Sequence, residues 1–136
     1  MYHARVQRFI AILFFLVVLT ACKSKNTDLR ARIAAANTSQ FCHPPDACIN
    51  PSILAFEKGY TVTAFVGGRP QYEVLHLTEL REHLLNLPMS AWPQGPIIGI
   101  STSDDVTDWQ LIQKNVKEAE KTCRSLGLEA QFRPGG

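Results

Sequence analysis

The 136-residue chain has no basic stripe, no internal repeat, no low-complexity segment and no apolar run long enough to span a bilayer. A membrane-spanning helix needs about 20 consecutive apolar residues, and the longest run here, residues 9–19, has 11. The ordinary hydrophobic fraction of 46% excludes general disorder. Because Lys and Arg are not clustered in one stripe, we expect no nucleic-acid partner.

The first 22 residues have the three zones of an export signal. Arg5 and Arg8 give a positive start, residues 9–19 form a short apolar region, and the small residues Thr20 and Ala21 precede Cys22. We therefore predict that residues 1–21 are a signal peptide. An uncleaved N-terminal anchor or a secreted protein are the alternatives.

The segment Leu19-Thr20-Ala21-Cys22 resembles the lipobox of bacterial lipoproteins. This resemblance implies cleavage between Ala21 and Cys22, diacylglycerol on the Cys22 thiol, and acylation of the new amine. Two or three acyl chains hold a protein stably on a membrane, whereas one holds it only marginally. Lys23 follows the cysteine, and the sorting rule of the family then indicates the outer membrane, facing the periplasm, in a cell with two membranes. We expect an extracytoplasmic, lipid-anchored protein whose first partner is membrane lipid.

The charge pattern divides the remaining chain into two parts. Residues 22–40 carry Lys23, Lys25, Arg30 and Arg32 against Asp28, and we predict a lipidated anchor with a flexible basic tether. Each of these cations can gain about 1 kcal/mol beside anionic headgroups, although a solvated linker would have the same composition. Residues 41–136 hold 8 basic and 11 acidic residues and are predicted to form a single globular domain.

Export permits disulfide bonds, and three cysteines remain beside Cys22. Cys42 and Cys48 flank a segment with two prolines and an aspartate, so the chain must turn there, and we predict a bridge across that turn. Cys123 falls on the apolar stripe of the last helix, where it is either a buried small residue or the partner of Cys42 or Cys48. A zinc site with His43 is disfavoured by the spacing, and we expect no metal.

The periodicity of the domain predicts four strands and two helices. The strands are residues 60–66, 71–75, 96–101 and 128–132. One helix runs from a Thr78 cap to about Leu87. The other has an apolar stripe at three- and four-residue steps, formed by Val106, Trp109, Ile112, Val116, Ala119, Cys123 and Leu126. Two segments are undecided: residues 28–36 could form a short helix, and residues 53–56 a short strand.

The order ββαβαβ predicts an α/β (α+β) domain. Because each helix links two strands, the economical arrangement is a mixed four-stranded sheet with both helices packed on one face.

Residues 68–132 resemble the periplasmic domain of the ExbD/TolR biopolymer-transport family. The resemblance rests on Gly68-Arg69-Pro70, Leu77-Thr78-Glu79-Leu80, the strand at 96–101, Ser103-Asp104 and Leu126-Gly127-Leu128. The resemblance implies that this domain shares the fold of that family and, like its members, binds other proteins. Members of that family keep a transmembrane helix with an Asp that serves proton-driven work. The apolar run of this chain has no Asp, so energy coupling is not implied.

The sequence contains candidate catalytic residues but no complete set of them for a known type of active site. Asp104, Asp105 and Asp108 precede the last helix, where carboxylates satisfy free N–H groups and the helix dipole, so we do not expect a cation there. Gly99 to Ser103 lacks the final glycine of a nucleophile elbow. We therefore expect a domain that is not an enzyme and has no cofactor.

The expected function is binding of another envelope component, a protein or a cell-wall partner. The candidate contacts are the Trp92-Pro93 loop and the hairpin tip near Arg69, since both are predicted turns. One alternative is a small envelope enzyme that uses Asp104, Asp105 or His83. The other is a structural or stress-related lipoprotein without a discrete ligand.

Overall fold

The computed structural model describes residues 28–43 and 48–134. Its helices are α1 (Leu29–Ala35), α2 (Leu80–Asn86) and α3 (Trp109–Ser125), with short 3-10 turns at Thr38–Phe41 and Met89–Ala91. Its strands are β1 (Ser52–Phe56), β2 (Gly59–Val66), β3 (Arg69–Leu75), β4 (Ile97–Thr102) and β5 (Glu129–Phe132). Across these described ranges, no helix has the length and apolarity needed to cross a membrane. The predicted signal peptide and Cys22 lie outside the described residues.

The five strands form one mixed sheet in the order β3-β2-β1-β4-β5. β1 and β3 pair antiparallel with β2, while β1 and β5 pair parallel with β4. The predicted combination of helices with a mixed sheet is therefore confirmed. The predicted count of four strands and two helices is wrong, because residues 28–43 and 48–134 contain five strands and three helices.

The missing strand is β1, in the undecided segment at residues 53–56, and it is the centre of the sheet. Ile53 and Ala55 are fully buried there, with β2 on one side and β4 on the other. A five-residue strand offers too few alternations for a sequence pattern to identify it.

Helix α3 packs against β1, β4 and β5 through its apolar stripe. Ile112, Val116, Ala119 and Cys123 are buried as predicted. The helix begins only at Trp109, whose side chain is 54% exposed, so its buried stripe starts at Ile112 and not at Val106 as predicted. The Asp108 carboxylate caps it by accepting from the Leu111 N–H at 3.1 Å.

The predicted Thr78 cap of helix α2 is wrong. The N-cap residue is Glu79, which makes no side-chain cap bond, and Thr78 lies in the preceding turn. The Glu79 carboxylate instead accepts from the His76 N–H at 2.9 Å and stabilises that turn. Leu80 and Leu84 form the buried side of this short helix.

Helix α1 corrects the predicted boundary between tether and domain. Leu29 and Ile33 are 0% and 1% exposed and belong to the same core as the sheet. The Arg32 guanidinium also donates to the Leu85 carbonyl at 3.2 Å. Residues 28–40 are therefore part of the domain, which begins by residue 28 rather than at residue 41. Two buried residues four apart are too short a pattern to predict this packing from sequence.

The first turn of α1 lies on the turn between α3 and β5. The Arg30 N–H is 3.3 Å from the Leu126 carbonyl and 3.0 Å from the Asp28 carboxylate that caps the helix. Gly127 has φ +79, and a Cβ at this position would overlap the Asp28 carboxylate and lie 2.8 Å from the Arg30 Cβ. Both the backbone conformation and the close approach therefore require glycine.

The parallel strands β1, β4 and β5 define two ends of the sheet. At their amino end, the Asn50 side-chain amide donates to the Gly95 and Ile97 carbonyls at 2.8 and 2.7 Å, and the Glu129 N–H donates to the Pro96 carbonyl at 2.8 Å. The first turn of α1 meets Leu126, just before β5, at this same amino end. Glu57 and residues 103–108 follow β1 and β4 and lie at the carboxyl end.

Candidate functional site

One face of the sheet carries two rows of uncharged side chains, and we call it the open face. Because successive residues of a strand point to opposite faces, Ile53, Val62 and Ile100 enter the core and their neighbours point away from it. The strand register places the neighbours in two rows: Val74, Thr61, Leu54 and Ser101 in one, and Tyr72, Thr63, Ser52 and Gly99 in the other.

The open face exposes the neighbouring side chains of Tyr72 and Val74 on β3, and that of Leu54 on β1 beyond Thr61. Val74 is 69% exposed, Tyr72 68% and Leu54 37%. The buried residues of α1, α2 and α3 belong to the core cluster with Ile53 and Val62, on the other side of the sheet. Adjacent exposed apolar groups with no charge among them are typical of a surface that binds another macromolecule.

Arg133 supplies a positive charge at one side of the open face. A Cβ on Gly99 would be 3.2 Å from the Arg133 Nε, so the guanidinium stem lies over the glycine. The Arg133 N–H donates to the Ile100 carbonyl at 2.9 Å, which holds the backbone in place. The face therefore runs from apolar groups on β3, through hydroxyls on β2 and β1, to a guanidinium above β4.

A buried hydrogen-bond network holds the sheet on α3. The Tyr60 hydroxyl donates to the Asn115 carbonyl at 2.7 Å, and the Asn115 side-chain amide donates to the Phe56 and Glu57 carbonyls at 2.8 and 3.1 Å. Burial, followed by the charges of Glu118 and Cys123, raises the pKa of Tyr60 to about 12. The hydroxyl thus stays protonated and donating near neutral pH, and the sheet has a fixed support behind the open face.

Glu57 joins the β1–β2 turn to the start of α3. Its carboxylate accepts from the Thr107 hydroxyl at 2.5 Å and from the N–H groups of Asp108 and Thr107 at 2.7 and 2.8 Å. The Thr107 hydroxyl bond and then the Asp108 and Thr107 amide bonds lower the pKa of Glu57 below its usual value. The role of Glu57 leaves no local pattern in the sequence, because its partners lie 50 and 51 positions away.

Cys42 and Cys48 form a disulfide with a Cα–Cα distance of 5.2 Å. The Gln94 side chain donates to the Cys48 carbonyl and ties the bridge to the amino end of the sheet. Cys123 is a free cysteine, fully buried on α3, and burial raises its thiol pKa to about 12. It is therefore protonated near neutral pH. Cys22 and Ala21 lie outside the described residues.

The two predicted contact positions differ in exposure. Arg69 is exposed at the start of β3, after the Gly67-Gly68 turn. Trp92 is 0% exposed, so its prediction as a partner contact is wrong. The short helical turn at Met89–Ala91 leads the chain inward, and the indole fills the core.

The residues that the enzyme alternative would use do not form one site among the described residues. His83 lies on α2, whereas Asp104 and Asp105 precede α3. No hydrogen bond or ion pair connects them within residues 28–43 and 48–134, where no group of His, Cys, Asp and Glu is arranged to hold a metal ion. Asp108 is the only one of the three aspartates that caps α3.

Comparisons with known proteins place the chain in no family. No family model and no curated protein matches it. Among solved structures, it is similar to T. thermophilus RuvC in complex with a Holliday junction substrate, at 11% identity and a TM-score of 0.39. The match covers 62% of this chain and 65% of the length of that structure's chain.

One expectation is withdrawn here. We expected a domain that is not an enzyme, and the match to a chain solved with a substrate gives that expectation no support. At this TM-score and identity, the likeness assigns neither an activity nor a nucleic-acid partner to the present chain.

The Glu57 contacts predict an acid-sensitive contribution to stability. Replacing Glu57 by Gln should lower the thermal unfolding midpoint at neutral pH, because the charged acceptor of three donors is lost. Folding lowers the pKa of Glu57. The contribution of Glu57 to stability is therefore complete above its unfolded pKa of about 4.3, and it disappears as the pH falls through the folded pKa.

Melting curves followed by circular dichroism from pH 7 to pH 3 would measure this effect. The matched control is Glu82→Gln, which removes an exposed carboxylate on α2. Two results would refute this role of Glu57. One is an equal unfolding midpoint for Glu57→Gln and the control at neutral pH. The other is a difference between the two midpoints that grows as the pH falls.

Proposed function

We propose that this protein is a lipid-anchored envelope lipoprotein whose domain binds a protein of the envelope through the open face. The anchor is supported by the basic start, the short apolar run and the lipobox ending at Cys22. The observation that carries the binding role is the exposure of Val74, Tyr72 and Leu54 on one face of the sheet. Burying such groups against a partner contributes about 25 cal/mol per Å² of apolar surface.

The composition of the open face indicates what the partner presents. Tyr72 and Val74 favour an apolar protein surface, and aromatic residues commonly carry most of the binding energy at such interfaces. Arg133 lies above β4, three strands from β3, and strands are about 4.8 Å apart. The partner is therefore expected to place a carboxylate about 14 Å from its apolar contact.

Arg69 is a peripheral contact in this proposal. It starts β3, the strand that carries Tyr72 and Val74, and it pairs with Val66 across the hairpin. Exposed charges at the rim of an interface influence the association rate more than the final affinity. Trp92 has no role at the surface, since it is buried.

The lipid anchor predicts a specific result for Cys22→Ala. Processing between Ala21 and Cys22 should stop, the acyl mass should be absent, and the protein should no longer label with radioactive fatty acid. Intact-mass spectrometry and membrane fractionation would measure this. Lys23→Ala is the matched control, since it should retain both cleavage and lipid. An unchanged mass and an unchanged membrane fraction for Cys22→Ala would contradict the anchor.

The open face predicts a position-dependent cross-link in intact cells. A photoreactive phenylalanine derivative in place of Tyr72 should form an adduct with one defined envelope protein. Val74→Glu should reduce the adduct about tenfold, because a charge in the apolar contact costs at least about 1.4 kcal/mol, which corresponds to that factor.

Gln71→Glu is the matched control for this experiment. It adds the same charge to the same exposed strand, but position 71 alternates with Tyr72 and lies on the other side of β3. Equal loss in both variants would show that charge on β3, rather than contact with the open face, governs the adduct. A cross-link to wall fragments would replace the protein partner with a cell-wall partner.

A further inference from the structure

We infer that the amino end of the sheet rests on the anionic phospholipid surface that holds the anchor, with the carboxyl end directed away from it. This inference rests on the proposed lipidation of Cys22 and adds an orientation to it. Three independent features lead to it: the length of chain available to the anchor, the side chains at the amino end, and the charge at the carboxyl end.

The burial of α1 shortens the connection between lipid and domain. Because Leu29 is in the core, only the six steps from Cys22 to Asp28 separate the lipidated residue from the folded chain. An extended chain spans at most about 3.5 Å per residue, so the connection reaches about 20 Å. A tether extending to residue 40 would have reached about 60 Å and would have imposed no orientation.

The amino end combines exposed apolar and basic side chains. Phe41 is 44% exposed and Ile49 42% exposed, on the two sides of the Cys42–Cys48 disulfide. Arg30 is exposed in the first turn of α1, and Lys121 is exposed near the end of α3. Apolar groups that enter the headgroup boundary beside cations that contact phosphate are characteristic of peripheral membrane binding.

Other charged groups at this end already have partners. The Arg124 guanidinium pairs with Glu120 at 2.5 Å, and the Arg81 guanidinium donates to the Ser125 hydroxyl at 2.8 Å. The Asp28 carboxylate accepts from the Arg30 N–H. Glu129 is exposed beside them, with Gln131 as its donor at 3.4 Å, and partly offsets the cations. Arg30, Lys121, Arg81 and Arg124 thus stand against Asp28, Glu120 and Glu129, and the excess positive charge is this difference together with Lys23 and Lys25 in the connection.

The carboxyl end has the opposite character. Asp104, Asp105, Asp108 and Glu57 lie there, against Lys58 in the β1–β2 turn. An anionic surface repels such a cluster over roughly a Debye length, which is about 8 Å at physiological salt. Attraction at one end and repulsion at the other therefore favour the same orientation.

The two tryptophans provide a direct test. Trp109 is exposed at the carboxyl end, and Trp92 is buried and serves as a constant background. In a Trp109→Phe background, Phe41→Trp places an exposed indole at the amino end. The lipoprotein purified from membranes is reconstituted into phosphatidylcholine vesicles containing brominated lipid, with and without about one third phosphatidylglycerol.

The expected result is that bromine quenches the Phe41→Trp variant several-fold more than the protein with its native Trp109, and more strongly with phosphatidylglycerol. Arg30→Glu with Lys121→Glu should remove that phosphatidylglycerol-dependent increase. Equal quenching at the two positions, or stronger quenching of Trp109, would overturn the orientation. Emission from Trp92 in vesicles without bromine verifies that each variant is folded.

Intact mass of the same preparation separates this inference from the proposed function. If the acyl mass is absent, the proposed lipidation fails, and the protein is coupled through the Cys22 thiol to a maleimide phospholipid. Cys42 and Cys48 are bridged and Cys123 is buried, so coupling is directed to Cys22. In the coupled protein, stronger quenching of the Phe41→Trp variant supports the orientation. Equal quenching, or stronger quenching of Trp109, overturns it, whatever the outcome for lipidation.

Discussion

The contact between the first turn of α1 and the Gly127 turn determines how the rest of the molecule is arranged. It requires a residue without a side chain at position 127, since a Cβ there would overlap the Asp28 carboxylate. It places Leu29 in the core, so the domain includes the chain from residue 28 onward. Both the short connection to Cys22 and the proposed orientation at the membrane rest on this one close approach.

The second constraint is a sheet with one buried face. Helix α3 covers the core side through its apolar stripe, and the Tyr60 and Asn115 hydrogen bonds hold it in register. Packing on one side leaves the strands free to present Leu54, Tyr72 and Val74 on the other. The antiparallel part of a sheet commonly faces water on one side with polar residues, so these apolar groups are the basis of the proposed binding surface.

As a result of these two constraints, different parts of the surface are suited to different partners. The amino end, with Phe41, Ile49 and Arg30, is the part suited to lipid. The open face runs alongside it and ends at Arg133, which is suited to a protein. A domain held close to the membrane by a short connection would present this face to partners in the same membrane, which raises their effective concentration.

Long elements with many repeats of their pattern were predictable from the sequence. The stripe of α3 and the Gly67-Gly68 hairpin extend over enough residues for periodicity and turn chemistry to identify them. Helix α1 and strand β1 have seven and five residues. At that length the pattern is ambiguous, and contacts distant in sequence decide the structure.

The candidate site was less predictable than the fold. Of the open face, only the nearby hairpin tip at Arg69 was anticipated. Leu54, Tyr72 and Val74 have the residue types of a core, and only the strand order shows that no helix in the described part of the chain covers them. Trp92 shows the converse error, because a tryptophan in a proline-containing loop gives no sign that its ring is fully buried.

Native-state hydrogen exchange would measure whether α1 is part of the folded domain. The Arg32 and Ala36 amides donate to the Asp28 and Arg32 carbonyls at 3.2 and 3.1 Å, and the Ile112 amide of α3 is the reference. If α1 is part of the domain, its amides should be protected to a degree approaching that of Ile112, because opening the helix exposes Leu29 and Ile33. Exchange of the α1 amides at the rate of an unstructured chain, while Ile112 stays protected, would contradict the account.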